Sequence, residues 1–230
     1  MIVSDNAKSS CVHIFDVDNT VVRKTSAEYF LRMALHDKYI RFSQVSALLI
    51  DWLKYKFARP DNDFIENIVK NLSGLKKNDI EYVAKECFKK QLKQNIYCGA
   101  ADLINETMKK GERVIFATSS FDFIIRPLEE YFGIEGSLST RLEYSDGITT
   151  GNLAGYSFFG PKKKTAAQDW MNQNNIRPEN VSFYSDSYTD IPLLEYCGNP
   201  VAVNPDRLLK QTAKKHNWKI LQFKDVLGNS

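Results

Sequence analysis

Residues 12–20 read VHIFDVDNT, and this stretch decides the fold. Its first half, from Val12 to Phe15, is a short and mainly apolar run that is typical of a buried parallel strand. The run leads directly into Asp16, Asp18 and Thr20. Because ligands of open parallel sheets bind beyond the carboxyl ends of the strands, we expect the polar half of this stretch to lie in a binding site.

Three later apolar runs, 114–117, 181–184 and 201–203, predict further buried strands. Helical patterns lie between them, over 100–110 with Gly111 just past its end, and over 165–174. Strands that alternate with helices predict an α/β fold, a Rossmann-like, doubly wound parallel sheet.

The interval from 22 to 96 breaks this alternation, since it is rich in helix formers and has no convincing strand. Helices are predicted over 42–56, 63–72 and 79–92. We therefore expect an inserted α-helical cap over 23–96, with 1–22 and 97–230 forming the core. The apolar face of 42–56 is expected to pack inside the cap, because its polar face lacks the Lys/Arg excess of a membrane-surface helix.

Composition excludes several classes of protein. The 230 residues carry a formal charge of only +3, and 43% of them are hydrophobic. This balance disfavours both a disordered chain and a dedicated nucleic-acid binder. The four cysteines are widely spaced, which disfavours a zinc ribbon or a disulfide scaffold, and no apolar run is long enough for stable membrane insertion. The expected location is cytoplasmic.

Acidic or hydroxyl side chains follow three of the predicted strands. Asp16 and Asp18 follow the first strand, Thr118 and Ser119 follow the second, and Asp186 and Asp190 follow the third. Four carboxylates at one sheet edge would repel one another. Mg2+, which prefers oxygen ligands and phosphate, would offset their negative charge. A calcium loop is the rival interpretation, and it fails because Val21 and Ala27 occupy its glycine and glutamate positions.

A cation is expected beside such a phosphate, and three consecutive lysines precede the 181–184 strand: Lys162, Lys163 and Lys164. Lysine binds phosphate as a point charge. Two of the three are expected to be solvated, and the run lacks the aromatic interleaving of a nucleic-acid patch.

These motifs resemble the haloacid dehalogenase superfamily. The residues 16–20 resemble its DxDxT motif, Thr118 its second motif, Lys163 its third, and Asp186 with Asp190 its fourth. The stretches YSDSYTDIPLLE at 184–195 and VAVNPD at 201–206, with Trp218 after them, are similar to the phosphoserine phosphatase subfamily. Spacing within that subfamily points to Lys163, with Lys162 and Lys164 left open.

The resemblance implies a Mg2+-dependent phosphatase acting on a small phosphorylated substrate. Asp16 would form an aspartyl-phosphate, and Asp18 would act as acid and then as base. Mg2+ would be held by Asp16, the Asp18 carbonyl and Asp186, with Asp190 in support. Thr118, Lys163 and the Ser119 backbone N–H would hold the phosphoryl oxygens.

The motifs define the reaction better than they define the substrate. Thr25 and Ile68 stand where the resemblance places the Glu and Arg that recognise phosphoserine, which disfavours that substrate. Candidates for substrate contact are Glu28, Tyr29, Arg32 and Arg126. A phosphotransferase or mutase on the same scaffold, and a non-catalytic phospho-acceptor module, are the alternatives.

Overall fold

The computed structural model of the chain describes residues 11–36, 64–155, 157–158 and 160–229. The helix predicted over 42–56 lies outside these residues. The strands are β1 (Val12–Phe15), β2 (Arg113–Phe121), β3 (Ser137–Thr140), β4 (Leu142–Ser145), β5 (Ile148–Leu153), β6 (Val181–Ser185), β7 (Asn199–Val203) and β8 (Lys219–Leu221). The helices are α1 (Ser26–His36), α2 (Phe64–Asn71), α3 (Lys77–Cys87), α4 (Cys98–Lys109), α5 (Asp122–Phe132), α6 (Pro161–Gln173), α7 (Ile191–Leu194) and α8 (Arg207–Lys215).

Six of these strands pair in parallel in the order β3-β2-β1-β6-β7-β8. The predicted α/β parallel sheet is therefore confirmed. β1 lies at the centre, with β2 on one side and β6 on the other, so the chain changes direction at β1. A crevice opens beyond the strand ends at such a switch point, which places the residues after β1 in it.

Side-chain alternation along β1 explains why both faces of the sheet are covered. Val12 and Ile14 belong to a core cluster with residues of α6, α7 and α8. Phe15 belongs to the other cluster, with residues of α4, α5 and the inserted helices. The Phe15 ring stacks on that of Tyr184 in β6, with centroids 4.1 Å apart. Alternate residues of a strand point to opposite faces, so one apolar stretch supplies both cores.

The described part of the insertion between β1 and β2 is helical, as predicted. α2 and α3 match the helices expected at 63–72 and 79–92, and α3 continues through a π-helical turn at Phe88–Leu92. The proposed domain boundaries stay a prediction. No helix within the described ranges is both long and apolar enough to cross a membrane.

Several element boundaries differ from those predicted. β2 runs on to Phe121, although its pairing with β3 is irregular after Ala117. α6 begins at Pro161 rather than at 165, directly after Gly160 at φ 59°. Proline is favoured in the first helical turn, because its missing N–H has no helical partner there. The earlier start places the three lysines in the first turn of α6.

The hairpin β4–β5 is not among the predicted elements. Its turn, Asp146-Gly147, has positive φ at both residues, 50° and 74°. Hairpin turns of this kind favour Asp-Gly. The hairpin also pairs with the turn between α2 and α3: Gly74 N donates to Thr149 O at 2.9 Å, and Thr149 N to Leu75 O at 2.9 Å. These backbone bonds join the hairpin to the turn between α2 and α3.

We expect Thr149→Val to weaken this junction. The buried Thr149 hydroxyl donates to Leu72 O at 2.5 Å and accepts from Leu75 N at 2.9 Å. Valine keeps the shape but leaves both backbone groups without that partner, which should lower the free energy of unfolding by about 1–3 kcal/mol. Urea denaturation measures the change. The control is Thr150→Val, whose exposed hydroxyl bonds Glu143, and an equal loss in both variants would contradict this account of the junction.

Candidate active site

The end of β1 delivers Asp16 into the crevice. Asp16 N donates to Tyr184 O at 2.8 Å, which extends the β1–β6 pairing by one residue. The Asp16 side chain is buried. After it the backbone turns, with Asn19 at φ 57°, and Asn204 Nδ2 donates to Asn19 O at 3.3 Å. Asparagine tolerates this left-handed conformation better than most residues, so the turn holds both aspartates of the motif at the sheet edge.

Lys163 meets two of the predicted acids. Its Nζ donates to Asp16 Oδ1 at 2.9 Å and to Asp190 Oδ2 at 2.7 Å, and all three side chains are buried. The 3₁₀ turn Tyr188–Asp190 carries Asp190. Ser185, at the end of β6, donates from its hydroxyl to Asp190 Oδ2 at 2.6 Å. Residues from three parts of the chain therefore form one bonded cluster.

The neighbouring lysines point elsewhere. Lys162 Nζ lies 3.2 Å from Glu66 Oε1 on α2, and Lys164 Nζ lies 5.5 Å from the centre of the Tyr196 ring. Successive residues on a helix face different directions, so only one of three can enter the crevice. Lys163 is the lysine whose ammonium group lies among the acids.

Burial dominates the electrostatics of the acids. It raises the pKa of Asp16 to about 7, assisted by the charges of Asp190 and Asp18 and opposed by Lys163. It also raises the pKa of Asp186 to about 9, with Asp16 and Asp190 adding to the effect. For Lys163, burial disfavours the charged form, but the two adjoining carboxylates outweigh it and raise the pKa. The acids outnumber the one lysine, so they resist being ionised together.

Asp18 is held separately from this cluster. Its Oδ1 accepts from Ser26 N at 2.7 Å and its Oδ2 accepts from Ser120 Oγ at 3.0 Å. Burial raises the pKa of Asp18, while these hydrogen bonds act in the opposite direction. A raised pKa favours the protonated form of a carboxyl group, which is the form in which a general acid acts.

Thr118 and Ser119 lie within β2, although the strand was expected to end at Ala117. Thr118 is fully buried, and its hydroxyl accepts from Ser120 N at 3.1 Å. The Ser119 carbonyl accepts from Thr140 Oγ1 at 3.0 Å. Since β2 neighbours β1, both residues lie along the same sheet edge as Asp16.

The loop after β6 is braced by the last part of the chain. Asp206 N donates to Asp186 O at 2.8 Å, and Asp206 Oδ2 accepts from Tyr188 N at 2.7 Å. The other Asp206 oxygen caps α8 by accepting from Leu209 N. One aspartate of the VAVNPD stretch therefore fixes the loop that carries Asp186.

The candidate substrate contacts do not form one group. Glu28 and Arg32 pair with each other along α1, and the Tyr29 hydroxyl donates to Arg23 O at 2.9 Å. Arg126 on α5 lies 3.3 Å from Glu81 Oε1 on α3, and 3.5 Å from Asp122 Oδ2. Arg126 thus joins the core to an inserted helix.

The two positions that argue against phosphoserine recognition have other contacts. Thr25 O accepts from Glu28 N at 3.1 Å at the start of α1, and Ile68 packs against the core cluster shared with the inserted helices.

Three serines in the site were not predicted, namely Ser26, Ser120 and Ser185. Ser185 directly precedes Asp186, and Ser120 ends the Thr-Ser-Ser run. Their adjacency to predicted residues was a signal that could have found these two. Ser26 offered no such signal, because a serine at the start of a helix is common for reasons of capping alone.

The donor set fits a hard cation. In the described part of the chain, no three His, Cys, Asp or Glu side chains are grouped so as to hold a metal ion by themselves. Mg2+ commonly uses only one or two carboxylates and completes its shell with water and phosphate. Asp16 and Asp186, both with raised pKa values, together with the Asp18 carbonyl, match that need.

Comparison with known proteins identifies the family. The model of the haloacid dehalogenase-like hydrolases matches residues 14–195, and the chain belongs to this family. It is similar to a histidinol-phosphatase of Neisseria meningitidis, with 30% identity over 92% of this chain and 98% of that protein. It is also similar to the phosphoserine phosphatase SerB1 of Mycobacterium tuberculosis, with 29% identity over 91% of this chain and 70% of that protein.

Solved structures agree on the fold. A substrate-bound phosphoserine phosphatase complex superposes with a TM-score of 0.69 at 19% identity, covering 95% of both chains. A protein of unknown function from Bordetella pertussis superposes with a TM-score of 0.80 at 21% identity, covering 91% of this chain and 97% of that one.

Proposed function

We propose that this protein is a Mg2+-dependent phosphatase that hydrolyses a small phosphomonoester through a phosphoaspartate on Asp16. The observation that carries the proposal is the buried Lys163 ammonium between Asp16 and Asp190, beside Asp186. Family membership and the phosphatase names of the relatives support the same class of reaction.

In the first step an Asp16 carboxylate oxygen attacks phosphorus, and the bond from phosphorus to the ester oxygen breaks. The electron pair goes to the leaving oxygen, and Asp18 donates a proton to it. In the second step Asp18 takes a proton from water, which attacks phosphorus and releases Asp16 and inorganic phosphate.

The remaining residues stabilise charge and orient groups. Lys163, the Thr118 hydroxyl and the Ser119 N–H would bind the phosphoryl oxygens, where preorganised donors lower the barrier. Asp16, the Asp18 carbonyl and Asp186 would hold Mg2+, with Asp190 keeping Lys163 in place. When bound, Mg2+ offsets the negative charge of the carboxylates and the phosphate.

The proposed substrate is a small phosphomonoester other than phosphoserine. Thr25 and Ile68 supply neither the carboxylate nor the guanidinium that the resemblance associates with phosphoserine. Amino-alcohol phosphates, the class that includes histidinol phosphate, lack the carboxylate that such an arginine would bind. They are therefore the first esters to assay.

The direct test is a panel of phosphate esters assayed with Mg2+ and with EDTA. The panel contains 4-nitrophenyl phosphate, phosphoserine, histidinol phosphate and simple alkyl phosphates. We expect Mg2+-dependent release of inorganic phosphate, with phosphoserine among the poorer substrates. Release of phosphate that EDTA does not reduce would contradict the metal dependence, and no release from any ester would contradict the function.

A further expectation concerns Mg2+ and pH. The pKa values of Asp186, about 9, and Asp16, about 7, lie above those of the unfolded chain. The metal-free fold therefore loses stability as pH rises from about 4 towards these values. Mg2+ needs the deprotonated groups and so binds better at higher pH. We expect a fixed Mg2+ concentration to raise the Tm more at about pH 8.5 than at about pH 6.5.

Thermal unfolding with and without Mg2+ at the two pH values measures this difference. In the matched variant Asp186→Asn, the Mg2+-dependent shift should largely vanish at both values. An equal or smaller shift at the higher pH in the unmodified protein would contradict the assignment of these acids to the metal.

A further inference from the structure

Two elements from distant parts of the sequence donate hydrogen bonds to the Asp18 carboxyl group. Ser26, the first residue of α1, donates from its backbone N–H to Oδ1 at 2.7 Å. Ser120, near the end of β2, donates from its hydroxyl to Oδ2 at 3.0 Å. One contact comes from the inserted helices and the other from the sheet, so the orientation of Asp18 depends on how α1 sits against β2.

The two serines also bond each other. Their hydroxyl oxygens lie 2.7 Å apart, and both residues are buried. A hydroxyl has one proton to donate. When Ser120 donates to a charged Asp18, its proton is used, and the Ser26 hydroxyl can then donate to Ser120 or to Asp18. The two hydroxyls and the Asp18 carboxyl group therefore form one hydrogen-bonded group.

The two oxygens of Asp18 face different kinds of partner. The N–H at Oδ1 can only donate, whereas the hydroxyl at Oδ2 can donate to a carboxylate or accept from a carboxylic acid. The hydroxyl at Oδ2 can therefore hydrogen-bond to Asp18 both when the carboxyl group is charged and when it is protonated.

Ser120 is itself fixed in place. Its N–H donates to Thr118 Oγ1 at 3.1 Å, and the pairing between β2 and β3 shifts register between Ala117 and Phe121. The irregular end of β2 thus holds the Ser120 backbone at the point from which its hydroxyl reaches Asp18.

From these contacts we propose that Ser120, backed by Ser26, is a positioning residue that aims the Asp18 carboxyl group at the leaving oxygen. The inference rests on the proposed function, since it assumes that Asp18 protonates the leaving group. It adds a role for two serines, and it makes proton transfer depend on α1 being docked against β2.

The test uses leaving groups of different basicity. An alkyl alkoxide must be protonated as it leaves, whereas 4-nitrophenolate is a stable anion that leaves without help. In Ser120→Ala we expect kcat/KM to fall about 10-fold for an alkyl phosphate and less than about 2-fold for 4-nitrophenyl phosphate. The 10-fold loss is smaller than the full contribution of a general acid, because Asp18 itself remains. The ratio of the two values is independent of how much of the variant is folded.

Ser26→Ala should change this ratio in the same direction but less, because the Ser120 hydroxyl and the Ser26 N–H remain. The two substitutions should also be non-additive, as expected for residues in one hydrogen-bonded group. The matched control is Ser139→Ala, which removes a buried hydroxyl on β3 that bonds Ser137. It should leave the ratio unchanged.

An equal loss for both esters in Ser120→Ala would overturn the positioning role, because a purely structural defect affects both alike. An unchanged ratio at unchanged activity would overturn it as well. Failure of the proposed function looks different, since the unmodified protein would then hydrolyse neither ester.

Discussion

Asp16→Asn should abolish phosphate-ester hydrolysis, with kcat/KM reduced by about 10⁴-fold or more, as expected when a reaction loses its nucleophile. An amide oxygen cannot form the phosphorylated intermediate at a useful rate. Asparagine has nearly the same shape as aspartate, and Asp190 remains as a partner for Lys163. The variant should therefore still fold, and its loss of activity should be chemical in origin.

Steady-state assays with 4-nitrophenyl phosphate measure this effect, and circular dichroism with thermal unfolding verifies the fold. Asp102→Asn is the matched control, because Asp102 is an exposed acid on α4 and its substitution should leave activity intact. Substantial turnover by folded Asp16→Asn would exclude the aspartyl-phosphate route.

Lys163→Met should damage both stability and activity. The substitution leaves the buried Asp16 and Asp190 without their shared cation. Removing one partner of a buried ion pair costs about 3–5 kcal/mol, less whatever the acids recover by taking up protons. Loss of the lysine leaves the pKa of Asp16 higher still, since Lys163 opposes its upward shift. The stability deficit should therefore be larger at about pH 8 than at about pH 5.

Neighbouring lysines provide controls within the same helical turn. Lys162→Met removes an exposed ion pair with Glu66, and Lys164→Met removes a contact with the Tyr196 ring. Each should change the free energy of unfolding by no more than about 1 kcal/mol and leave hydrolysis largely intact. Equal damage from all three substitutions would contradict the placement of Lys163 as the lysine of the site.

The central sheet could be predicted because its inner strands are short apolar runs. The edge strands could not, since β3 is the polar stretch Ser137–Thr140 and β8 spans only Lys219–Leu221. A strand with one neighbour needs fewer apolar residues, so its sequence differs little from that of a loop. The hairpin β4–β5 could have been predicted, because Asp146-Gly147 is a strong turn signal.

The acids of the site could be predicted for a different reason. Asp16 directly follows one apolar run, and Asp186 follows another after a single residue, Ser185. Parallel strands bring such ends to one edge of the sheet. Lys163 could be chosen among the three lysines only from the motif spacing in the subfamily that the chain resembles, because the neighbouring residues in the sequence do not distinguish it. The serine pair depends on how α1 meets β2, and that contact joins residues 94 positions apart, so no local pattern could reveal it.

The most direct test of the account is to trap the covalent intermediate. The unmodified protein is mixed with 4-nitrophenyl phosphate and Mg2+, quenched in acid within the first turnovers, and reduced with borohydride, which converts an acyl phosphate of aspartate to homoserine. Mass spectrometry should then find homoserine at position 16 and nowhere else, and should find none in Asp16→Asn. Hydrolysis that proceeds at full rate without this product, or with the modification at another residue, would contradict the account.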